Sequence, residues 1–117
     1  MAFLEKKVFA LIPARKGSKG IKDKNVFMIK GKPLIEHTLV SALKSKFIDE
    51  IFVSTNCKKV KKITNKYDDI LFIDRPEKYC KDNSPAKDVV NHFIYEIEKD
   101  FKKDFIIIYL QPTSPLR

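Results

Sequence analysis

The chain has 117 residues, of which 44% are hydrophobic and 33% are charged, and it contains only three glycines. This composition is typical of a folded domain with a sizeable core and excludes a disordered tail. The formal net charge of +9 would suit an anionic partner, but the lysines are spread over every segment and no nucleic-acid-binding motif occurs, which argues against a nucleic-acid binder.

Apolar runs and cysteines place further limits on the class of protein. The longest apolar run, residues 105–110, is far below the roughly 20 residues that a membrane-spanning helix needs. Residues 1–9 are too charged and too short for a signal peptide. Cys57 and Cys80 form no metal-binding or redox pattern and are interpreted as incidental. We therefore expect a cytoplasmic protein that does not engage a membrane.

Strand and helix patterns alternate from the amino terminus. KVFALI, residues 7–12, predicts a strand buried on both sides. Pro33 suits the first turn of a helix that packs back on this strand. The apolar positions of that helix are Leu34, Ile35, Leu39, Ala42 and Leu43. Residues 51–53 predict a second strand, and residues 54–56 offer turn and cap residues before a lysine-rich helix through about Tyr67.

The second half of the chain continues the alternation. Residues 70–73 predict a third strand, and after a polar loop Ser84 and Pro85 predict the N-cap and N1 residues of a helix. The apolar stripe of that helix is Val89, Val90, Phe93, Ile94, Ile97 and Phe101. Residues 105–110 predict a fourth buried strand. We therefore expect an α/β fold, a three-layer, Rossmann-like, mostly parallel sheet with helices on both faces, formed as a single domain over residues 1–117.

Most aromatic and histidine residues are assigned to structure rather than to chemistry. The phenylalanines predicted to lie in the core are Phe47, Phe52, Phe72, Phe93 and Phe105. His37 falls between the apolar positions of its helix and His92 falls opposite the apolar stripe, so both are expected at the surface. No serine or cysteine forms a recognisable nucleophile motif with either histidine.

Three polar loops follow predicted strands, at the sheet edge where α/β proteins bind ligands. The first, LIPARKGSKGIKDKN at residues 11–25, contains Gly17 and Gly20. Its cations are Arg15, Lys16, Lys19, Lys22 and Lys24. It matches neither the P-loop nor the dinucleotide fingerprint. The pattern indicates either polyphosphate binding by backbone N–H groups and cations, or a lysine-rich surface turn.

The other two loops carry weaker signals. The second, DRPEKYCKDNSPAKD at residues 74–88, includes Arg75 and leads into a helix N-terminus that could accept an anion or present N–H groups to a base. Ordinary capping by Ser84 explains the same pattern equally well. The third, QPTSPLR, starts with Gln111 and is stiffened by two prolines, which is typical of loops that position a substrate.

Together these motifs resemble one family. IPARKGSKGIKDKN, GKPLIEHTL, VSTN, DRPEKYCKDNSPAKDVV and LQPTSPLR are similar to the amino-terminal half of the cytidylyltransferases that activate sialic acid and related nonulosonic acids. The resemblance covers nearly all of the chain and implies a truncated sheet of the nucleotide-diphospho-sugar transferase type, with residues 1–117 as its nucleotide-binding half. A truncated sheet would leave an edge and an apolar patch uncovered, which would favour self-association.

The resemblance also implies an activity: transfer of CMP from CTP to the anomeric hydroxyl of a nonulosonic (sialic-type) acid, with release of pyrophosphate. Mg²⁺ is the expected cofactor, with aspartate ligands that this chain does not contain. The implied partners are CTP and the sugar acid, in a homo-oligomer that serves bacterial glycan biosynthesis. The alternative is a truncated or degenerate nucleotide-binding module, or a partner-dependent subunit, without catalysis of its own.

The family pattern assigns roles to seven residues. Arg15 and Lys19 are the expected catalytic residues, which grip the triphosphate and the leaving pyrophosphate. The expected substrate-binding residues are Lys24, Asn25, Arg75, Ser84 and Gln111. Within this set Arg75 and the backbone near Ser84 recognise cytidine, and Gln111 faces the sugar acid. No residue of the chain is assigned as a metal ligand.

Overall fold

A parallel four-stranded sheet organises the chain in a computed structural model, which describes residues 6–15, 28–80 and 85–112. The elements in chain order are β1 (Lys7–Pro13), β2 (Met28–Ile29), β3 (Lys32–Pro33), α1 (Leu34–Leu43), β4 (Glu50–Thr55), α2 (Lys58–Thr64), β5 (Ile70–Asp74), a 3-10 turn (Glu77–Tyr79), α3 (Ala86–Glu98) and β6 (Phe105–Tyr109). The main sheet has the order β5-β4-β1-β6, and every neighbouring pair is parallel. The predicted α/β architecture is confirmed.

Side-chain alternation along the strands explains why helices cover both faces of the sheet. Ala10 and Ile12 of β1 belong to a core cluster that also contains residues of α1 and α2. Phe9 and Leu11, which point the opposite way, belong to a second cluster with Val89 and Phe93 of α3. Since β1 is apolar on both sides, it can be sandwiched between two helical layers, as its unbroken hydrophobic run predicts.

The second cluster is held together by aromatic rings. The Phe9 ring lies 5.5 Å from that of Phe52, with the planes at 77° to each other, and 5.4 Å from that of Phe101. Phe52 in turn lies 5.2 Å from Phe93. Edge-to-face pairs at such distances add to the stabilisation that area burial provides. These contacts fix α3 and the segment after it against β1 and β4.

Two of the five phenylalanines predicted to be core are exposed. Phe52 and Phe93 are buried, and Phe105 is half-buried, whereas Phe47 is 69% and Phe72 is 38% exposed. Phe47 lies in the turn after α1, and Phe72 lies on β5, which is an edge strand of the sheet formed by the described residues. The Lys61 ammonium lies over the Phe72 ring, 5.3 Å from its centroid, and also contacts Asp74. The Lys61 charge therefore packs on the exposed Phe72 ring.

The predicted element boundaries differ from the structure at two helices. α2 begins after Cys57, because residues 54–55 belong to β4. It ends at Thr64, earlier than predicted, because residues 65–69 form the turn that leads into β5. α3 begins at Ala86, and Pro85 stands at the cap position with extended backbone angles. The predicted N-cap, Ser84, lies outside the described residues. None of the described helices is long and apolar enough to cross a membrane.

A small hairpin before α1 was not predicted. β2 and β3 pair antiparallel across Lys30 and Gly31, whose φ angles are 51° and 84°. Two consecutive residues with positive φ match a type I′ turn, in which glycine is favoured. The His37 imidazole donates from Nε2 to the Ile29 carbonyl, 2.6 Å away. His37 therefore fastens the hairpin to α1. It is half-buried by this contact, so the expectation that it lies at the surface was wrong.

The carboxylate of Glu36 ties α1 to the turn between α2 and β5. Glu36 is 8% exposed. It accepts hydrogen bonds from the Tyr67 hydroxyl at 2.6 Å and the Lys66 ammonium at 3.1 Å. Burial favours the neutral acid, but these two donors outweigh it and lower the pKa of Glu36. α1 and the α2–β5 turn are thus joined by a charge-assisted network rather than by apolar packing alone.

Phe93 is expected to be a major contributor to stability because its side chain is completely buried. Phe93→Ala should lower the free energy of unfolding by about 3–5 kcal/mol, measured by urea denaturation. Tyr95→Ala, on the same helix but 65% exposed, is the matched control and should cost no more than about 0.5 kcal/mol. Equal losses for the two variants would contradict this packing of α3.

The Glu36 network makes stability depend on pH in the alkaline range. Its hydrogen bond raises the pKa of Tyr67 from 10.0 to about 12, so the folded state favours the protonated phenol. This stabilisation is present below the unfolded pKa and is lost as the pH rises toward the folded pKa. The difference in unfolding free energy between wild type and Tyr67→Phe should therefore shrink between about pH 10 and about pH 12. Tyr95→Phe, which removes an exposed hydroxyl, should show no such trend; a constant difference for Tyr67→Phe would refute the assignment.

Candidate functional site

The carboxyl edge of the sheet contains the point at which strand order reverses. From β1 the chain goes through α1 to β4 and then to β5 on one side, whereas β6 pairs with β1 on the other side. The crevice beyond β1 and β6 is therefore the topological switch point, where open α/β sheets bind ligands. Residues 14–15 and 110–112 lie at this crevice, and residues 56–57 and 75–80 extend it along the same edge.

Hydrogen bonds join the ends of β1 and β4 beyond the regular ladder. The Ala14 amide donates to the Ser54 carbonyl at 2.9 Å. The Thr55 hydroxyl donates to the Ala14 carbonyl at 2.6 Å and accepts from the Cys57 amide at 2.9 Å. Because Thr55 is completely buried, these bonds are protected from water. They fix the backbone from which Arg15 projects.

Arg75 places a buried positive charge at the end of β5. Its side chain is only 5% exposed. Nε donates to Ser54 Oγ and Nη2 to the Ser54 carbonyl, both at 3.0 Å, while Nη1 makes a long contact of 3.5 Å with the Tyr79 carbonyl. Within the described residues these partners are neutral oxygens. A buried cation without a neutralising partner is costly, and it is well suited to a ligand rich in acceptors.

The loop that carries Arg75 is folded tightly on itself. The Arg75 amide donates to the Thr55 carbonyl at 2.9 Å, and the 3-10 turn is closed by bonds from the amides of Tyr79 and Cys80. The buried Cys80 thiol donates to the Pro76 carbonyl at 3.3 Å. Burial raises the pKa of Cys80, so the thiol remains protonated and acts as a structural donor.

Electrostatics connect the residues around the switch point. Burial lowers the pKa of Arg75; the nearby Cys80 and Tyr109 oppose that effect, and repulsion from Arg15 adds to it. An arginine nevertheless stays charged at any ordinary pH. Burial raises the pKa of Tyr109, against the effects of Arg75 and of a side-chain hydrogen bond with Gln111. Two arginine charges therefore converge on this crevice, next to the Tyr109 and Gln111 pair.

The structure places three of the seven predicted site residues along this edge. Arg15 follows β1, Arg75 follows β5, and Gln111 follows β6. Arg15 and Tyr109 both interact electrostatically with Arg75, and Tyr109 hydrogen-bonds the Gln111 side chain. The other predicted residues lie outside the described part of the chain: Lys19, Lys24, Asn25 and Ser84. The glycines of the first loop, Gly17 and Gly20, lie outside it as well.

Three neighbours of the site were not predicted from the sequence. Thr55 was interpreted as a turn residue and is instead the buried link between β1 and β4. Tyr109 was included in an apolar run, although its side chain hydrogen-bonds Gln111 and interacts electrostatically with Arg75. His92 was expected at the surface, which is wrong: it is half-buried, and its ring lies 5.7 Å from that of Tyr79. The placement of His92 depends on the 3-10 turn, which no sequence pattern indicated.

The opposite end of the sheet contains a cleft of different chemistry. A cleft of about 370 Å³ lies before β4 and β5 and is lined by Asp49, Glu50, Asp68 and Asp69 among others. Its carboxylates would repel a polyphosphate. No group of three or more histidine, cysteine or acidic side chains within the described residues could hold a metal ion. These residues therefore do not fit a Mg²⁺ site.

Known proteins similar to this chain act on or bind nucleotides, or are named for doing so, in agreement with a ligand site at the carboxyl edge of the sheet. A family model described as cytidylyltransferase matches residues 9–116. The chain belongs to the cytidylyltransferase family. It is 38% identical over 112 residues to a CMP-N,N'-diacetyllegionaminic acid synthase from Legionella pneumophila, covering 95% of this chain and 48% of that protein. It is 35% identical over 111 residues to an N-acylneuraminate cytidylyltransferase from Escherichia coli, covering 95% of this chain and 25% of the relative.

Two solved structures share the fold. CMP:2-keto-3-deoxy-manno-octonic acid synthetase, in complex with CTP, aligns with a TM-score of 0.71 and 27% identity, over 96% of this chain and 42% of that one. A 4-diphosphocytidyl-2C-methyl-D-erythritol synthase aligns with a TM-score of 0.70 at 15% identity, a likeness of fold alone. The chain thus spans half or less of the length of these relatives, and the predicted resemblance is confirmed for that part.

The buried Thr55 hydroxyl, which joins the ends of β1 and β4, should contribute measurably to the free energy of unfolding. Thr55→Val keeps the shape but leaves the Ala14 carbonyl and the Cys57 amide without this partner, which should cost about 1–3 kcal/mol of unfolding free energy. Thr55→Ser retains the hydroxyl and should cost clearly less, as measured by urea denaturation. If valine were tolerated as well as serine, the hydroxyl would not join these strands.

Proposed function

We propose that this chain binds CTP at the carboxyl edge of its sheet, and that the longer protein transfers CMP from CTP to a nonulosonic acid. The observation that carries the proposal is the buried guanidinium of Arg75, hydrogen-bonded to neutral oxygens and close to Arg15 at the switch point. Family membership, a relative in complex with CTP, and relatives named for nonulosonic acids support it.

Arg75 is proposed to recognise the cytosine base. A guanidinium has five N–H donors, and the described contacts use three of them, which leaves two for a ligand. Cytosine presents two adjacent acceptors, its carbonyl oxygen O2 and the ring nitrogen N3, whereas uracil has an N–H at position 3. A donor pair held rigidly by Ser54 would therefore favour cytosine over uracil, and the backbone near Ser84 is proposed to complete this contact.

Arg15 is proposed to bind the triphosphate. It lies just beyond β1, on backbone fixed by Thr55 and Ser54. Cations beside a negatively charged transferring group stabilise the charge that develops as the pyrophosphate leaves. Lys19 is proposed to share this role, with Lys24 and Asn25 assisting at the nucleotide. The many basic residues of the first loop supply the charge that a polyphosphate requires.

Gln111 is proposed to face the sugar acid. It is exposed, it follows β6, and its side chain hydrogen-bonds Tyr109. On this proposal the anomeric hydroxyl oxygen attacks the α-phosphorus in line and loses its proton to water. The bond between the α-phosphorus and the oxygen that bridges to the β-phosphorus breaks, and pyrophosphate departs with that oxygen. The contribution of the chain is positioning and charge stabilisation. The family expectation of Mg²⁺ is not supported by the described donor set, and no step here depends on it.

Two arginine variants separate the proposed contacts by isothermal titration. Arg75→Met removes both proposed hydrogen bonds from a charged donor, each worth about 1.5–3 kcal/mol, so affinity for both CTP and CMP should fall by at least about a hundredfold. Arg15→Ala should weaken CTP more than CMP, because CMP lacks the β- and γ-phosphates. Wild type should also prefer CTP to UTP, a preference that Arg75→Met should lose.

The matched control is Lys46→Met, which removes an exposed charge in the turn after α1, before β4. It should leave CTP affinity within about twofold of wild type at 0.15 M salt, since distant exposed charges are screened. If Lys46→Met weakened binding as much as Arg75→Met, general charge rather than this site would hold the nucleotide. If wild type bound UTP as tightly as CTP, the proposed base recognition would be wrong.

The chain by itself is proposed to act mainly as a binding module. It spans 48% of the legionaminic acid synthase and 25% of the acylneuraminate enzyme, and its described residues do not form a metal site. We therefore expect CTP binding that is weak, and pyrophosphate release with CTP and a nonulosonic acid that is very low or nil. Robust turnover by the 117-residue chain would refute this proposal and leave the CTP site itself standing.

A further inference from the structure

We propose that His92 is a positioning residue for Arg75: its imidazole packs against Tyr79 and thereby fixes the 3-10 turn that holds the guanidinium. This inference rests on the proposed CTP site for its functional consequence. Its structural basis is independent of any ligand. The His92 and Tyr79 rings lie 5.7 Å apart, with their planes at 44°, and Tyr79 is the residue whose carbonyl contacts Arg75 Nη1.

The geometry forms a continuous path from α3 to the site. His92 belongs to α3, whose neighbouring residues Val89 and Phe93 are anchored in the core. Its ring meets the 3-10 turn at Tyr79, and that turn lies only two residues after Arg75. α3 therefore has a direct side-chain contact with the Arg75 loop, and packing of the helix is transmitted to the guanidinium.

The state of His92 points to a function beyond packing. Its Nδ1 is buried and has no hydrogen-bond partner within the described residues. Buried polar atoms are nearly always paired, and an exception calls for an explanation. An apolar ring could pack against Tyr79 without this cost. The neutral imidazole therefore lies where a positive charge on it would act on the adjacent Arg75 loop.

The charges around His92 make its protonation unfavourable. Lys78 of the 3-10 turn and Arg75 act on it from the loop, and Lys99 lies at the end of its own helix; among the residues that the structure describes, Glu96 acts in the opposite direction. Burial, which is the largest effect, also lowers the pKa of His92 below 6.5. When the pH falls far enough to protonate His92, a new cation appears near Arg75. The loop should then loosen, so positioning is intact at neutral pH and is lost in acid.

The direct test is the Nε–H signal of Arg75 in ¹⁵N-labelled protein without ligand. The chain has three arginines, Arg15, Arg75 and Arg117, so the Nε–H signals can be assigned by substitution. The Arg75 signal should exchange slowly with water at pH 7.5, since this group is buried and bonded to Ser54. It should lose protection as pH falls below 6.5, in step with titration of the His92 ring.

Two His92 variants separate ring packing from titration. His92→Ala removes the ring and should raise Arg75 Nε–H exchange by about tenfold at pH 7.5, and should weaken CTP binding several-fold. His92→Phe restores a ring that cannot be protonated; it should rescue most of the protection and abolish its loss in acid. Tyr95→Ala, on the exposed side of the same helix, is the control and should behave as wild type in both measurements.

The outcomes bear separately on the two proposals. Wild-type protection and affinity in His92→Ala, or persistent acid sensitivity in His92→Phe, would overturn the positioning proposal. If His92→Ala does not fold, the His92→Phe variant and the wild-type pH titration still decide it. If wild type shows the expected Arg75 signal but no CTP binding, the positioning role stands and the proposed function fails.

Discussion

The burial of the Arg75 guanidinium is the constraint around which the carboxyl edge of the sheet is arranged. A permanently charged group can be kept at 5% exposure only if its donors are met by oxygens in fixed positions. Ser54 supplies two of these oxygens from the end of β4. β4 must therefore end in register with β5, and the parallel pairing of Thr55 with Asp74 places Arg75 directly beyond that register.

The same strand ends connect the base-recognition side of the site to its phosphate side. Ser54 uses its hydroxyl and its carbonyl for Arg75, and the same carbonyl accepts the amide of Ala14. Thr55 then holds the Ala14 carbonyl. One pair of consecutive β4 residues thus positions the two segments that carry Arg15 and Arg75. Two like charges can be kept near one another here because backbone geometry, rather than mutual attraction, determines where they lie.

Much of the fold follows from local patterns in the sequence. Short apolar runs bounded by proline and polar residues located all four main strands. In β1 and β4 the run reflects burial on both faces, whereas β5 and β6, at the edges of the described sheet, are apolar in sequence but more exposed than predicted. Features that depend on contacts between distant residues were missed. Examples are the 3-10 turn, the half-burial of His92 and the exposure of Phe72. Each depends on which elements become neighbours, and no single segment of the sequence determines the strand order. Arg75 and Gln111 were singled out from their loops at strand ends, and their roles came from family resemblance. The neutral oxygen partners of Arg75 became visible only in the folded chain.

The account depends on the two arginines acting together at the carboxyl edge of the sheet, Arg15 beyond β1 and Arg75 beyond β5. The most direct test is a crystal structure of this chain soaked or grown with CTP. We expect the triphosphate within hydrogen-bond distance of Arg15 and the cytosine O2 and N3 within reach of the Arg75 guanidinium, with the Ser54 contacts preserved. A nucleotide bound elsewhere, such as along the amino end of the sheet, with Arg75 untouched, would contradict it.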